Sequence, residues 1–363
     1  MKKLSLLINI LLGSFIAQAQ IDCGTKSEKN PIVFTKAQLE NIRTITAINE
    51  PLCVRIYITV FADDNGTNRA NTDAEIMSQF QNMRNHYSPQ SICFMLINLR
   101  QINSTDLNDQ NADTEVDELI PYTVPGCINI FIHKNLPGLN GVSYGGILSM
   151  WSGAIGSTTN LTTLSHEVGH SLGLAHTFDT GAGRENVTRV TSNPCYNCET
   201  KGDLICDTPA DDNIDPNSVD ESCVYTGGRF DDCSPAESYA PMTNNIMAYG
   251  NRACRTTFTN GQGLRMNAMM RTNPTVMAYV NEDVVANPNS AGVFTPTFSS
   301  GETQQTARDL LTLSPYASNQ YIVNGTAIHH IQSKKIVMKR GTKFSPAAGG
   351  KVTIKVNTYC NGL

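Results

Sequence analysis

Between Leu52 and Phe61 the chain reads Leu-Cys-Val-Arg-Ile-Tyr-Ile-Thr-Val-Phe, a run rich in β-branched and aromatic residues that predicts a strand. Asn71-Thr72-Asp73 then opens a helical pattern through Ile76, Phe80 and Met83, with Thr72 as N-cap. Ile92 to Leu99 and Cys127 to His133 predict two further strands, the second a short apolar run of the buried kind, and residues 103–118 between them predict a polar loop. Strand, helix, strand, loop, strand is the opening of a mixed α/β domain. The glycine-rich stretch 138–146 leads into Ile147-Leu148-Ser149-Met150-Trp151, which predicts an exposed edge strand beside a site. No G-x-x-x-x-G-K-[ST] pattern supports a phosphate cradle there.

The two ends of the chain read differently. Lys2 and Lys3, the apolar run 4–16 and Ala17-Gln18-Ala19 form a signal peptide over residues 1–19, with the mature chain starting at Gln20. The apolar run is too short to span a membrane, and no later run reaches about 18 apolar residues. An exported protein without a membrane span, secreted or attached at a cell surface, is the expectation. Residues 20–50 are polar without a strong apolar period and read as a pro-segment, 51–280 as the main domain, and 281–320, rich in Asn, Pro, Thr and Ser, as a linker. Residues 321–363 alternate in the manner of strands and predict a small all-β module.

Composition narrows the function classes. With 27 Lys+Arg against 32 Asp+Glu the net charge is -5, which gives no basic footprint for nucleic acid. Export gives the 11 cysteines a meaning, because most are expected to pair in an oxidising compartment, and the odd count leaves at least one free or paired between chains.

The chemistry is concentrated in residues 161–178, whose core is H-E-x-x-H-x-x-G-x-x-H from His166 to His176. On a helix His166 and His170 sit one turn apart on one face and can hold one metal ion. Gly173 can adopt positive φ, end the helix and let His176 swing back as a third ligand. Three imidazoles leave one position of a tetrahedral zinc open, the arrangement of a catalytic site. Glu167 is then placed as the general base that takes a proton from the activated water and returns it to the leaving amine. An amphipathic core helix with two hydrogen-bonded histidines would not require Gly173 and His176, and chance alone yields the full pattern on the order of 10⁻⁵ times in a chain this long.

This extended motif resembles the metzincin zinc endopeptidases, and in particular the pappalysin-like (cytophagalysin) family, in which H-E-V-G-H-x-L-G-L-x-H-T-F is typical. Asn245-Ile246-Met247-Ala248-Tyr249-Gly250 resembles that family's Met-turn, Cys206-Asp207-Thr208-Pro209 its D-T-P segment, and Phe258 to Met266 its closing helix, with Thr259 and Gln262 forming a capping box. The likeness covers about residues 53–275. It implies an α/β (α+β) metzincin-type domain with a mixed sheet, a zinc-binding active-site helix and a disulfide-stapled lower subdomain. It also implies Met247 as an apolar floor beneath the ligands and Tyr249 as a donor to the oxyanion. Ala248 departs from the acidic residues common there and leaves the substrate pocket open. Peptide substrates are the implied partners; a binding or adhesion protein that keeps a silent metzincin fold is the competing reading.

Three further expectations concern cysteines and acids. Cys195, Cys198, Cys206, Cys223, Cys233 and Cys254 read as disulfides, or, through Cys195-x-x-Cys198, as a second zinc site. Cys23, outside the main domain, reads as a thiolate latch on the fourth zinc position that keeps a zymogen latent, with Lys36 and Arg43 as candidate activation sites; the alternatives are a disulfide to Cys53 or to another chain. Asp203, Asp207, Asp211, Asp212 and Asp215 form an acidic cluster that reads as a calcium site or as a solvated loop.

Overall fold

The structure is a computed structural model that describes residues 21–28, 31–48, 52–111, 115–213, 218–281, 285–286, 296–307, 309–314 and 320–356. The expected signal peptide, Asp215 and Cys360 lie outside them.

The β-branched run forms β2 (Leu52–Ala62), the centre of a mixed sheet. It is flanked by β3 (Ile92–Asn103) and β4 (Ile128–His133), both parallel to it. Beyond β4 come β6 (Ile147–Trp151) and then antiparallel β5 (Leu139–Tyr144), while β1 (Ile21–Cys23) adds in parallel outside β5. The order is β1-β5-β6-β4-β2-β3, with β7 (Val280–Asn281) pairing the start of β2. The strand 147–151 is therefore interior and largely buried, not the exposed edge expected from its glycine-rich approach. Its backbone is paired on both sides by β4 and β5.

Alternation along β2 builds two cores. Val54, Ile56, Ile58 and Val60 face the helix Asp73–Tyr87, through Phe80, Met83 and Tyr87, and the helix Thr163–Ser171, through Val168. Cys53 and Tyr57 face the other way with Cys93, Met95, Ile97, Val124 and Cys127. A strand covered on both faces reads as a near-continuous apolar run, and each such buried aliphatic side chain contributes about 1.5–3 kcal/mol. Thr72 and Thr259 both cap as expected, each in a reciprocal box, with Glu75 and Gln262. The sequence showed no element in 36–48, yet Lys36–Ile48 is a helix packed against the helix Asn260–Thr272. Lys36 and Arg43 both lie on it. Residues 103–118 hold two single-turn helices, Thr105–Asn108 and Val116–Leu119.

The tail departs most from expectation. Three coils follow one another: β8 (Val285–Ala286), β9 (Thr297–Phe298) and β10 (Glu302–Thr306); then β11 (Leu310–Leu313), β12 (Tyr321–Gly325) and β13 (Ile328–Ser333); then β14 (Lys335–Met338), β15 (Thr342–Pro346) and β16 (Lys351–Val356). Corresponding strands stack in parallel into three three-stranded sheets, giving a three-sided parallel β-coil. Leu311, Leu313, Tyr321, Val323 and Ile331 fill its interior. The first coil and β11 lie inside 281–320, so those residues are paired strands and not a free linker.

The coil docks on the second face of the main sheet. Glu302 accepts from Arg100 at 2.6 Å, from His330 at 2.8 Å and from the Tyr57 hydroxyl. Gln332 donates to the Leu96 carbonyl and Lys355 to the Ile97 carbonyl. Glu302→Ala leaves a half-buried guanidinium without its carboxylate and should lower unfolding stability by about 1–3 kcal/mol. Glu302→Gln, which keeps an acceptor, should cost less in the same denaturant titration.

Candidate active site

The helix Thr163–Ser171 is buried almost throughout, with His166 and Glu167 in its interior-facing turns. Leu172 and Leu174 close it by bonding back to Val168 and Gly169, and Gly173 between them has φ +88°, as its role as helix terminator required. A Cβ there would lie 2.6 Å from Met269 Cγ, so both conformation and space call for glycine. The turn returns His176 beside the helix.

The three rings converge. His170 Nε2 lies 3.1 Å from His166 Nε2 and 3.1 Å from His176 Nε2. His166 Nδ1 donates to the Ile246 carbonyl at 2.7 Å and His170 Nδ1 to the Leu174 carbonyl at 2.8 Å. A neutral imidazole has one N–H, so both Nε2 atoms carry lone pairs. Burial holds all three rings neutral, His170 pushed down to about 4. Lone pairs facing one another at 3.1 Å repel unless a cation lies between them. Ligands at 2.0–2.1 Å around a tetrahedral zinc lie roughly 3.3 Å apart. The donor set therefore fits a zinc ion.

Met247 lies below the helix. Its N–H donates to Asn245 Oδ1, Asn245 and Gln262 exchange amide hydrogen bonds, and Thr177 N–H donates to the Met247 carbonyl. A Cβ at Gly169 would lie 2.7 Å from Met247 Sδ, so the thioether abuts the helix backbone. The Tyr249 ring stands 4.9 Å from the His176 ring, and its hydroxyl donates to the Cys23 carbonyl at 2.8 Å.

Cys23 completes the group. Its Sγ is 3.5 Å from His170 Nε2 and donates to Glu167 Oε2 at 3.3 Å. Burial, and then the Glu167 carboxylate, push the thiol up, so without an ion it stays protonated. Cys23 Sγ and the three histidines bring one ligand atom each within 4.8 Å of one another. No motif singled out Thr25, whose hydroxyl donates to Glu167 Oε2 at 3.1 Å and whose N–H donates to Cys23 Sγ at 3.2 Å. Gly141 was missed as well: a Cβ there would lie 2.9 Å from Glu167 Cγ, so glycine lets β5 approach the acid. A cleft of about 270 Å³ opens beside the rings, lined by Thr25, Lys26, Glu28, His170, His176 and Arg265 among others.

The other cysteines pair as Cys53–Cys93, Cys195–Cys233, Cys198–Cys206 and Cys223–Cys254. The alternatives of a Cys23–Cys53 bridge and of a zinc site on Cys195 and Cys198 are thereby removed, since Cys53, Cys195 and Cys198 each have another partner. Cys23 and Cys127 are free and buried. The acidic cluster does not converge among the described residues. Asp207 accepts from Thr259 and Gly261 at the start of the closing helix, Asp203 from Thr208 and Ile205, Asp211 from Thr177, and Asp212 pairs with Arg229.

The three rings and the Cys23 sulfur form a group that could hold a metal ion. Residues 137–271 match the family Peptidase_M43, described as pregnancy-associated plasma protein-A. Over 288 residues it is 25% identical to an extracellular metalloprotease of Colletotrichum graminicola, covering 73% of this chain and 95% of that one. Over 259 residues it is 27% identical to extracellular metalloprotease 1 of Coccidioides posadasii, covering 65% and 83%. Pappalysin-1 of Homo sapiens matches at 33% over 111 residues, 30% of this chain and 6% of that protein. Among solved structures, mirolysin in complex with compound 9 aligns with a TM-score of 0.48 and 17% identity, over 64% of this chain and 96% of that one. The protein is a metalloendopeptidase.

Gly169→Ala drives a methyl group against Met247 and should lower stability by about 1–3 kcal/mol. Combining it with Met247→Ala should recover part of that loss in a double-mutant cycle of unfolding energies.

Proposed function

We propose that the protein is a secreted zinc endopeptidase made as a latent precursor, with His166, His170 and His176 as zinc ligands and Cys23 as the latch. The convergence of three neutral Nε2 atoms and one sulfur on a single point carries this reading. When bound, zinc supplies Lewis acidity, polarising the scissile carbonyl and lowering the pKa of water to about 7. Glu167 takes the proton of the attacking water and returns it to the leaving amine. Its partner Gly141 keeps β5 close enough to wall in that carboxylate. Tyr249, adjacent to the His176 ring, donates its phenol proton in a hydrogen bond to the oxyanion once Cys23 has left.

Latency follows from the same contacts. The segment from β1 to Thr25 occupies three reactive groups together: Cys23 Sγ faces the rings, Thr25 holds Glu167, and the Cys23 carbonyl takes the Tyr249 hydroxyl. Cleavage after the latch, within 27–50, frees all three. Export is supported by the charged and apolar pattern of residues 1–19, by the four disulfides and by the names of the relatives.

Glu167→Gln should bind as much zinc as the natural protein but cleave a denatured protein substrate on the order of 10²–10⁴-fold more slowly. Equal cleavage by both, or full cleavage after a chelator has removed the metal, would falsify the proposal. Cys23→Ala should raise the activity of the uncleaved chain and speed its maturation; an uncleaved variant as inactive as the natural precursor removes the latch but leaves the zinc assignment standing.

A further inference from the structure

The net charge of -5 conceals an uneven distribution. From Lys334 to Val356 the third coil carries Lys334, Lys335, Lys339, Arg340, Lys343, Lys351 and Lys355 and no Asp or Glu. Removing those seven positive charges from the total of -5 leaves -12 on the rest of the chain. Lys355 reaches the Ile97 carbonyl. The other six are exposed, and none has an acidic partner among the described residues.

Their positions follow the coil around. Lys334 and Lys335 open β14, Lys339 and Arg340 occupy the corner before β15, Lys343 lies on β15, and Lys351 opens β16. A ring of cations thus surrounds one end of the solenoid.

The centre of that end is apolar. Among the described residues β14, β15 and β16 pair on one side only, with β11, β12 and β13. Ile336, Phe344 and Val352 pack on the interior. Met338, Ile354 and Val356 share the inward parity of their strands but are 51%, 41% and 68% exposed. One coil back, Leu313 and Ile331, the register partners of Met338 and Ile354, are fully buried. The interior column of the solenoid therefore runs out into the open at this end.

We propose that the cation-ringed end of the coil is a docking surface for an anionic lipid membrane. Six unpaired cations match acidic headgroups, and the apolar centre matches the acyl boundary beneath them. A polyanionic chain, such as an acidic polysaccharide or a nucleic acid, would be followed along a groove on one face and would gain nothing from Met338, Ile354 and Val356. The acidic remainder of the molecule is repelled by the same surface, which favours end-on contact and leaves the catalytic cleft unobstructed. No helix among the described residues is long and apolar enough to cross a membrane. The inference does not depend on the zinc assignment.

The test is flotation of the full-length protein with vesicles of equal parts phosphatidylglycerol and phosphatidylcholine, and with phosphatidylcholine alone. Binding is expected to the first only, and to weaken as salt is raised. Replacing the six cations by Gln should cut partitioning by about fivefold per charge, with peptide cleavage after maturation unchanged. Replacing Met338, Ile354 and Val356 by Ser should also weaken binding while its salt dependence remains. No binding to the anionic vesicles, equal binding to neutral ones, or full binding by the six-Gln variant overturns the proposal. So does retention on an acidic polysaccharide or on DNA without vesicle binding.

Discussion

Two imidazole lone pairs aimed at each other across 3.1 Å, inside a buried site, are the constraint on which the rest of the structure turns. Each ring could relieve the repulsion by rotating or by changing tautomer. Neither is free to do so, because His166 Nδ1 is tied to the Ile246 carbonyl and His170 Nδ1 to the Leu174 carbonyl. The tie on His166 crosses 80 residues, so its tautomer depends on the placement of the turn 245–250. That explains why so much of the surrounding hydrogen bonding serves backbone placement. Asn245 and Gln262 pin the turn from one side, Gly173 shapes the return of His176, and Gly169 leaves room for Met247. The result is a pocket in which nitrogen donors are already deprotonated and aligned, so that little reorganisation opposes an ion.

The latent precursor proposed above rests on this preorganisation. Parallel addition of β1 to β5, with Gly24 N–H on the Gly141 carbonyl, sets the register that delivers Cys23 to the rings. A single thiol contact would compete poorly with peptide at high concentration. Cys23, Thr25 and the Cys23 carbonyl act on one chain, and their contacts are intramolecular, so they compete at a high effective concentration until the chain is cut. Removing the tether converts the same contacts into a weak bimolecular inhibitor, which diffuses away. The proposed latency would then depend on connectivity more than on the strength of any one bond.

What could be read from the sequence follows the range of the interactions. The zinc motif and both capping boxes are encoded within eleven residues or fewer, and their local spacing carries the geometry. Met247 and Tyr249 needed a family likeness, since nothing in residues 245–250 alone says which helix lies above them. Disulfide partners such as Cys195 and Cys233 are set by loops without periodicity. The helix Lys36–Ile48 carries Leu39, Ile42, Ile45 and Ile48 at helical spacing, and it was missed because residues 20–50 were read together as one polar segment. The β-coil was missed because its strands are only two to six residues long and its repeat is held by stacking between coils, with different residues filling each interior position.

The docking of that coil also accounts for an irregularity in the main sheet. Register between β2 and β3 shifts after Ile56 and Leu96, so that Tyr57 opposes Asn98 and Ile97 is the extra residue. A bulged residue at the end strand of a sheet exposes carbonyls that have no ladder partner. Here the Leu96 and Ile97 carbonyls are the two that accept from Gln332 and Lys355 of the coil. The adjoining Tyr57, displaced in register by the same bulge, meets Glu302 together with Arg100 and His330. The bulge and the polar cluster are thus one interface seen from its two sides. It lies against the second face of the sheet at β3, satisfies two backbone carbonyls there, and fixes the tail to the main domain through donors and acceptors that would otherwise lack partners.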